Sequence, residues 1–150
     1  MSNTANEIGS QAELADQADQ PQHVLSAKIG RLMALIMIVE DEILIAIDLH
    51  EHLEELGHDI HGPYSSVAQA TRALGTVPPD LAVLDVSLGD AEIDPLAATL
   101  QSMGVPVVFH SGHPDKVGYE QRFPGSIFCP KPSSPQEIRN AILKQISLSL

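Results

Sequence analysis

The apolar residues of this chain come in short bursts separated by stretches of helical period. LIMIV, residues 35–39, is an apolar run closed by charge, as in a buried strand. Over 42–56 (EILIAIDLHEHLEEL) the apolar residues at 43, 44, 47, 49, 53 and 56 keep mostly helical spacing, and Gly57 supplies a stop. Residues 58–62 (HDIHG) predict a short second strand. Ser65 or Ser66 can cap a helix through Leu74, ended by Gly75 and the Pro78–Pro79 pair. DLAVLD predicts a third strand, and residues 94–103 a helix with Asp94 as cap and Pro95 at its first position. VPVVFHS predicts a fourth strand. Residues 115–123 hold a weak helix, interrupted by Gly118 and closed by Pro124–Gly125. SIFC predicts a fifth strand. Ser133 or Ser134 opens the last helix, with Pro135 and Glu137 in its first turn and apolar residues at 138, 142, 143 and 146.

Short apolar strands alternating with helices imply an α/β domain, a parallel sheet covered on both faces. Five such units suit one doubly wound domain, in which ligands sit beyond the carboxyl ends of the strands. The residues before it differ in kind. Residues 1 to about 24 are polar and carry no apolar period, so a disordered tail is expected, with a partner-binding segment as the other reading. Residues 25–32 (LSAKIGRL) can add a helical turn, and Met33 stands where a compact domain would start. The division is therefore 1–32 as extension and 33–150 as domain.

Charge narrows the choice of partners. The chain has 150 residues, enough for one core, and a net charge of −12. With no basic run, that argues against nucleic acid and anionic membranes, both of which need a basic face. Cys129 is the one cysteine, so no internal disulfide forms, and no Cys/His spacing suggests zinc. The longest apolar stretch is far too short to cross a bilayer, and the N-terminus is not a signal peptide. A soluble cytoplasmic protein is expected.

The strand ends carry the chemistry. Glu40 and Asp41 end the first strand, Asp85 the third and Ser111 the fourth, and Lys131 and Pro132 follow the fifth. If these strands are neighbours, the groups meet on one rim. Two carboxylates about 4 Å apart repel by about 4 kcal/mol at an effective dielectric near 20. A positive group must offset this, or one carboxyl keeps its proton. A hard divalent cation with oxygen ligands fits, as does the ammonium of Lys131. Ser111 can donate to an anionic oxygen. Such a set suits phosphoryl transfer to an aspartate, giving an acyl phosphate.

IVEDE, VLDVSLGD, VVFHSG and FCPKP together resemble the receiver domain of two-component response regulators, over roughly Leu35 to Ser147. Asp85 lies 44 residues after Asp41, Ser111 26 after Asp85 and Lys131 20 after Ser111; the last interval is a little short for the family. The resemblance implies a flavodoxin-like fold, strand order 2-1-3-4-5, with helices on both faces. It implies Asp85 as phosphoacceptor and Mg²⁺ (or Mn²⁺) held by Glu40, Asp41, Asp85 and the Ser87 carbonyl. Ser111 would bond the phosphoryl oxygen and move inward, Lys131 would pair with the phosphoryl group, and Phe128 would be the rotating aromatic switch. Pro132 matches the proline after the lysine, where a cis bond is usual. Gly118, Pro124 and Gly125 depart from the pattern and make a short or irregular fourth helix. FHSGHP is similar to the string of a stand-alone subgroup, with His110 and His113 in place of the usual residues. His113 falls where the family sets dephosphorylation rate through water access.

The implied function is phosphorelay signalling. The phosphoryl group would come from a sensor histidine kinase or histidine phosphotransfer protein. The output would be a changed protein contact, a homodimer being possible, or a phosphate sink. The chain ends soon after the fifth helix, so a single-domain regulator is expected, with no enzymatic activity beyond self-catalysed phosphotransfer and autodephosphorylation. Two other classes compete. A Mg²⁺-dependent phosphatase of the DxD type lacks its second acid, because Val86 and Ser87 follow Asp85, and a nuclease lacks basic surroundings. A phosphorylation-independent binding module with this fold would have lost acceptor, acid pair or lysine, and none is lost. Blander readings attach to single residues: Asp85 as a loop acid, Phe128 as half core, Cys129 as a buried hydrophobe without a thiol partner. His50 and His52 point to different faces of one helix, which disfavours a histidine metal site. Glu51, Glu54 and Glu55 are a solvated face.

Overall fold

The computed structural model describes residues 33–89, 92–112 and 115–149. The expected 1–32 extension and His113 lie outside the described residues. Strands and helices alternate as β1 (Leu35–Val39), α1 (Ile43–Glu55), β2 (Asp59–Tyr64), α2 (Val67–Leu74), β3 (Leu81–Leu84), α3 (Asp94–Ser102), β4 (Val107–Ser111), α4 (Lys116–Arg122), β5 (Ile127–Pro130) and α5 (Pro135–Leu148). The five strands form one sheet in the order β2-β1-β3-β4-β5, and every pairing is parallel. That is the doubly wound, flavodoxin-like architecture expected from the sequence.

Side-chain alternation sorts the core into two layers. Met37, Val39, Ala82, Leu84, Val107, Phe109 and Phe128 pack on one face with Ala70 and Leu74 of α2, Leu96 and Leu100 of α3 and Tyr119 of α4. Ile36, Ile38, Leu81, Val83, Val108 and Cys129 pack on the other with Leu49 and Leu53 of α1 and Ile138, Ile142 and Ile146 of α5. The central strands are buried on both faces, which is why they appear as unbroken apolar runs.

Several local expectations need correction. β2 runs two residues past Gly62, through Pro63 to Tyr64, where the sequence suggests a break. Gly62 makes this possible: its φ is 113°, and a Cβ there would sit 2.9 Å from the Ile38 carbonyl. The register shifts opposite it, between Met37 and Val39. Ile93, not Asp94, caps α3 and gives no side-chain bond. Asp94 instead pairs with Arg122 of α4. Ile43, Leu44 and Ile47 do not join the core; they are 72%, 74% and 44% exposed. α5 has a reciprocal capping box between Ser134 and Glu137, as predicted, while α4 is only seven residues long.

Candidate functional site

Each site residue is the first or second one past a core strand, or the last one in it, and the backbone ladder continues through it. Glu40 N–H donates to the Tyr64 carbonyl, Asp85 N–H to Val39 and Lys131 N–H to Ser111, each at 2.9 Å. Parallel pairing of β1, β3, β4 and β5 therefore brings the four strand ends to one rim. Carboxylate oxygens of Glu40, Asp41 and Asp85 all lie within 4.8 Å of one another. Lys131 Nζ donates to Glu40 Oε2 at 2.7 Å and to Asp85 Oδ2 at 3.1 Å, with Glu42 Oε1 3.7 Å away. Glu40 and Asp85 are each 2% exposed, while Asp41 faces solvent.

Two turns hold the acids in place. Ser87 N–H donates to Asp85 Oδ1 at 2.8 Å, and Glu42 N–H to Glu40 Oε1 at 3.0 Å. Ser111 is buried, with its Oγ 3.4 Å from Ser87 Oγ. Phe128 is 5% exposed and packs against Tyr119, the ring centroids 6.2 Å apart. The Lys131–Pro132 peptide is cis, and Pro132 lines a cavity of about 660 Å³ beside Asp85 and Lys131. That cavity reaches between α1 and the start of α5, past Ile45, Leu49, His52 and Ile138. His113 aside, every predicted site residue lies on this rim or immediately beside it.

The charge balance is unfinished. Burial pushes the Glu40 carboxyl up to about 7, and the hydrogen bond from Lys131 only partly opposes this. Burial also works against the Lys131 ammonium, but the hydrogen bond to Glu40 and the charge of Asp85 outweigh it, and its pKa rises. One lysine thus faces two buried acids, with the exposed Asp41 and Glu42 at the mouth. An oxygen-only donor set short of positive charge fits a hard divalent cation such as Mg²⁺ or Mn²⁺.

His110 and Ser133 show what the sequence reading missed. His110 lines the same cavity as Asp85 and Lys131, but on the face of β4 opposite Ser111, with its Nε2 2.7 Å from Ser133 Oγ. The signal was available, since adjacent strand residues point to opposite faces and Ser111 is the next residue. Glu42 also reaches the lysine, although the sequence suggested only the pair before it.

Fold and rim together define a class. The chain has the fold of response-regulator receiver domains, and the solved structures similar to it include signal receiver domains. It is similar to the PhyR response regulator receiver domain of Erythrobacter litoralis, with 29% identity and a TM-score of 0.67 over 77% of this chain and 91% of that one. A signal receiver domain of a modulated diguanylate cyclase from Desulfovibrio desulfuricans matches at 26% identity and a TM-score of 0.68, over 78% and 96% of the two chains. Among curated proteins, the Phyllosphere-induced regulator PhyR of Methylorubrum extorquens is 28% identical over 137 residues, or 89% of this chain. The chain spans about half, 50%, of the length of that relative. No family model matches the chain. Among the described residues, no helix is long and apolar enough to cross a membrane.

Proposed function

We propose that the protein is a cytoplasmic response regulator whose receiver domain accepts a phosphoryl group on Asp85. The observation that carries this is the buried Asp85 carboxylate, 3.1 Å from the Lys131 ammonium and grouped with Glu40 and Asp41. An Asp85 oxygen bonds to phosphorus as the donor's P–N bond breaks. The departing imidazole keeps the electron pair and takes a proton. Lys131 holds a positive charge against the transferred oxygens, and Ser111 offers its hydroxyl to one of them. Glu40, Asp41, Asp85 and the Ser87 carbonyl would hold Mg²⁺, which when bound neutralises charge on the phosphoryl group. Phe128 would follow Ser111 as the switch, in the aromatic cluster that joins it to Tyr119 and Phe109.

The donor is a sensor histidine kinase or a histidine phosphotransfer protein. The exposed Ile43, Leu44 and Ile47 lie on the helix that follows Glu40 and Asp41, and they suit an apolar face on such a donor. The output is a changed affinity for a downstream protein or drainage of the kinase. No catalysis on outside substrates is proposed, since the residue two past Asp85 is a serine and not a second acid.

The test is intact mass after incubation with Mg²⁺ and acetyl phosphate, beside Asp85→Ala. One base-labile phosphoryl group on the wild type alone is expected. If no adduct forms even with a cognate kinase, the chain is instead a binding module that works without phosphorylation.

A further inference from the structure

We propose that His110 is a positioning residue for Lys131, acting through Ser133; the proposal rests on the phosphoacceptor reading and deepens it. His110 is 5% exposed and sits on the sheet face that otherwise carries Ile38, Val83, Val108 and Cys129. A buried polar ring on that face costs free energy unless its nitrogens are used. Only one is: Nε2 bonds Ser133 Oγ at 2.7 Å, and Nδ1 has no hydrogen-bond partner among the described residues. An apolar side chain would fill this place at lower cost. The ring is therefore held for what its Nε2 does.

Ser133 lies two residues past Lys131 and directly before the α5 cap, Ser134. The loop is thus tied to β4 twice. The Lys131 N–H donates to the Ser111 carbonyl at 2.9 Å, and the Ser133 side chain meets His110, the residue before Ser111. Lys131 is rooted between the tethers. Its ammonium sits on a long, flexible stem, so the freedom of the head depends on how firmly the root is held. His110 fixes that root, and so keeps the ammonium within reach of both Glu40 and the oxygens that arrive on Asp85. It lines the same cavity as Asp85 and Lys131, but its hydrogen bond is to Ser133.

The side chains that test this differ in where their polar atoms lie. The amide of Gln reaches the Nε2 position, and that of Asn stops near Nδ1. Initial rates of Asp85 phosphorylation by acetyl phosphate with Mg²⁺ would be measured on His110→Leu, His110→Gln, His110→Asn, Ser133→Ala and the His110→Leu/Ser133→Ala double variant. We expect His110→Leu and His110→Asn to slow transfer about tenfold, a fraction of what a ~1 Å misplacement costs. His110→Gln should restore the rate to within about threefold of wild type, and the double variant should be no slower than Ser133→Ala alone. The proposal is overturned if His110→Leu lowers the melting temperature yet leaves the rate unchanged. It is equally overturned if Gln and Asn behave alike, or if the two single effects multiply. Hydrogen exchange of the Lys131 amide separates this inference from the function it rests on. If the wild type takes no phosphoryl group, the phosphoacceptor reading fails by itself. Faster exchange in His110→Leu but not in His110→Gln would still support the tether, and unchanged exchange would sink it.

Discussion

The two ends of the sheet use buried polar groups in opposite ways. At the amino end they close open backbone positions. Gln145, 1% exposed, donates its amide to the carbonyls of Val107 and Gly125, both at 2.8 Å. His58 Nδ1 accepts from the Ala34 N–H at 3.2 Å, and beside it the exposed Asp80 Oδ2 accepts from the Leu35 N–H at 2.8 Å. These groups secure the starts of β1 and β4 and the turn before β5. At the carboxyl end the acids also take a backbone N–H each, but their remaining oxygens converge on one another and on one lysine. Glu40 and Asp85 share one lysine, and Glu40 is left with a pKa of about 7. A buried polar group matched to its partner is architecture, whereas an unmatched charge is a place prepared for something that arrives.

The largest test of that contrast is Gln145→Leu, which keeps the bulk and withdraws both donors. A loss of about 1–3 kcal/mol in stability is expected, since the buried Val107 carbonyl loses its partner while that of the exposed Gly125 can turn to water. Phosphoryl uptake by the folded fraction should stay near wild type. A large fall in uptake at preserved fold would mean that the amino end also sets the chemistry. Asp85→Asn should act in the opposite sense. It leaves Lys131 and Glu40 as a balanced pair, so the variant should gain on the order of 1 kcal/mol in the absence of divalent cation, a part of the ~4 kcal/mol that two close carboxylates repel by. Adding Mg²⁺ should raise the wild-type melting temperature and leave the variant nearly unmoved, since binding to the native state alone stabilises it. A destabilised Asp85→Asn would show that the rim is a structural ion network and not a site held in excess charge.

The carboxyl end was the more legible of the two in the sequence. Its groups follow strands whose apolar runs are unambiguous, so the sequence alone places Glu40, Asp85, Ser111 and Lys131 on one rim. The amino end was illegible because its polar groups sit inside helical and strand periods. Gln145 occupies a core position between Ile142 and Ile146, and nothing local distinguishes it from a solvated glutamine. The same limit hid the β2 extension, where Gly62 and Pro63 look like a stop until the Ile38 carbonyl shows why glycine is there. On α1, apolar period alone could not tell which residues face the core. Leu49 and Leu53 do, while Ile43 and Leu44 face out. Register between distant segments supplied all of these, and it is not written in any one of them.

The smallest effect comes from the two buried histidines, one at each end. Burial lowers the pKa of His58 below its ordinary 6.5, and burial with the nearby Lys131 charge brings His110 down to about 4. In both cases the unfolded chain binds the proton more readily than the native protein does. Their contribution is therefore fully present above about pH 6.5 and is lost as pH falls toward the folded values. At His58 the geometry acts in the same direction as burial, because a proton on Nδ1 would displace the Ala34 N–H. His58→Asn keeps an acceptor at that position and cannot titrate. Denaturant melts from pH 7.5 to 4.5 should show a shallower acid decline for His58→Asn than for wild type, with little change at pH 7.5. His110→Gln should flatten the decline further and toward lower pH, in keeping with the deeper shift at the carboxyl end. Parallel slopes for wild type and His58→Asn would mean that His58 keeps its ordinary affinity for protons, and that the amino end is less tightly closed than its hydrogen bonds indicate.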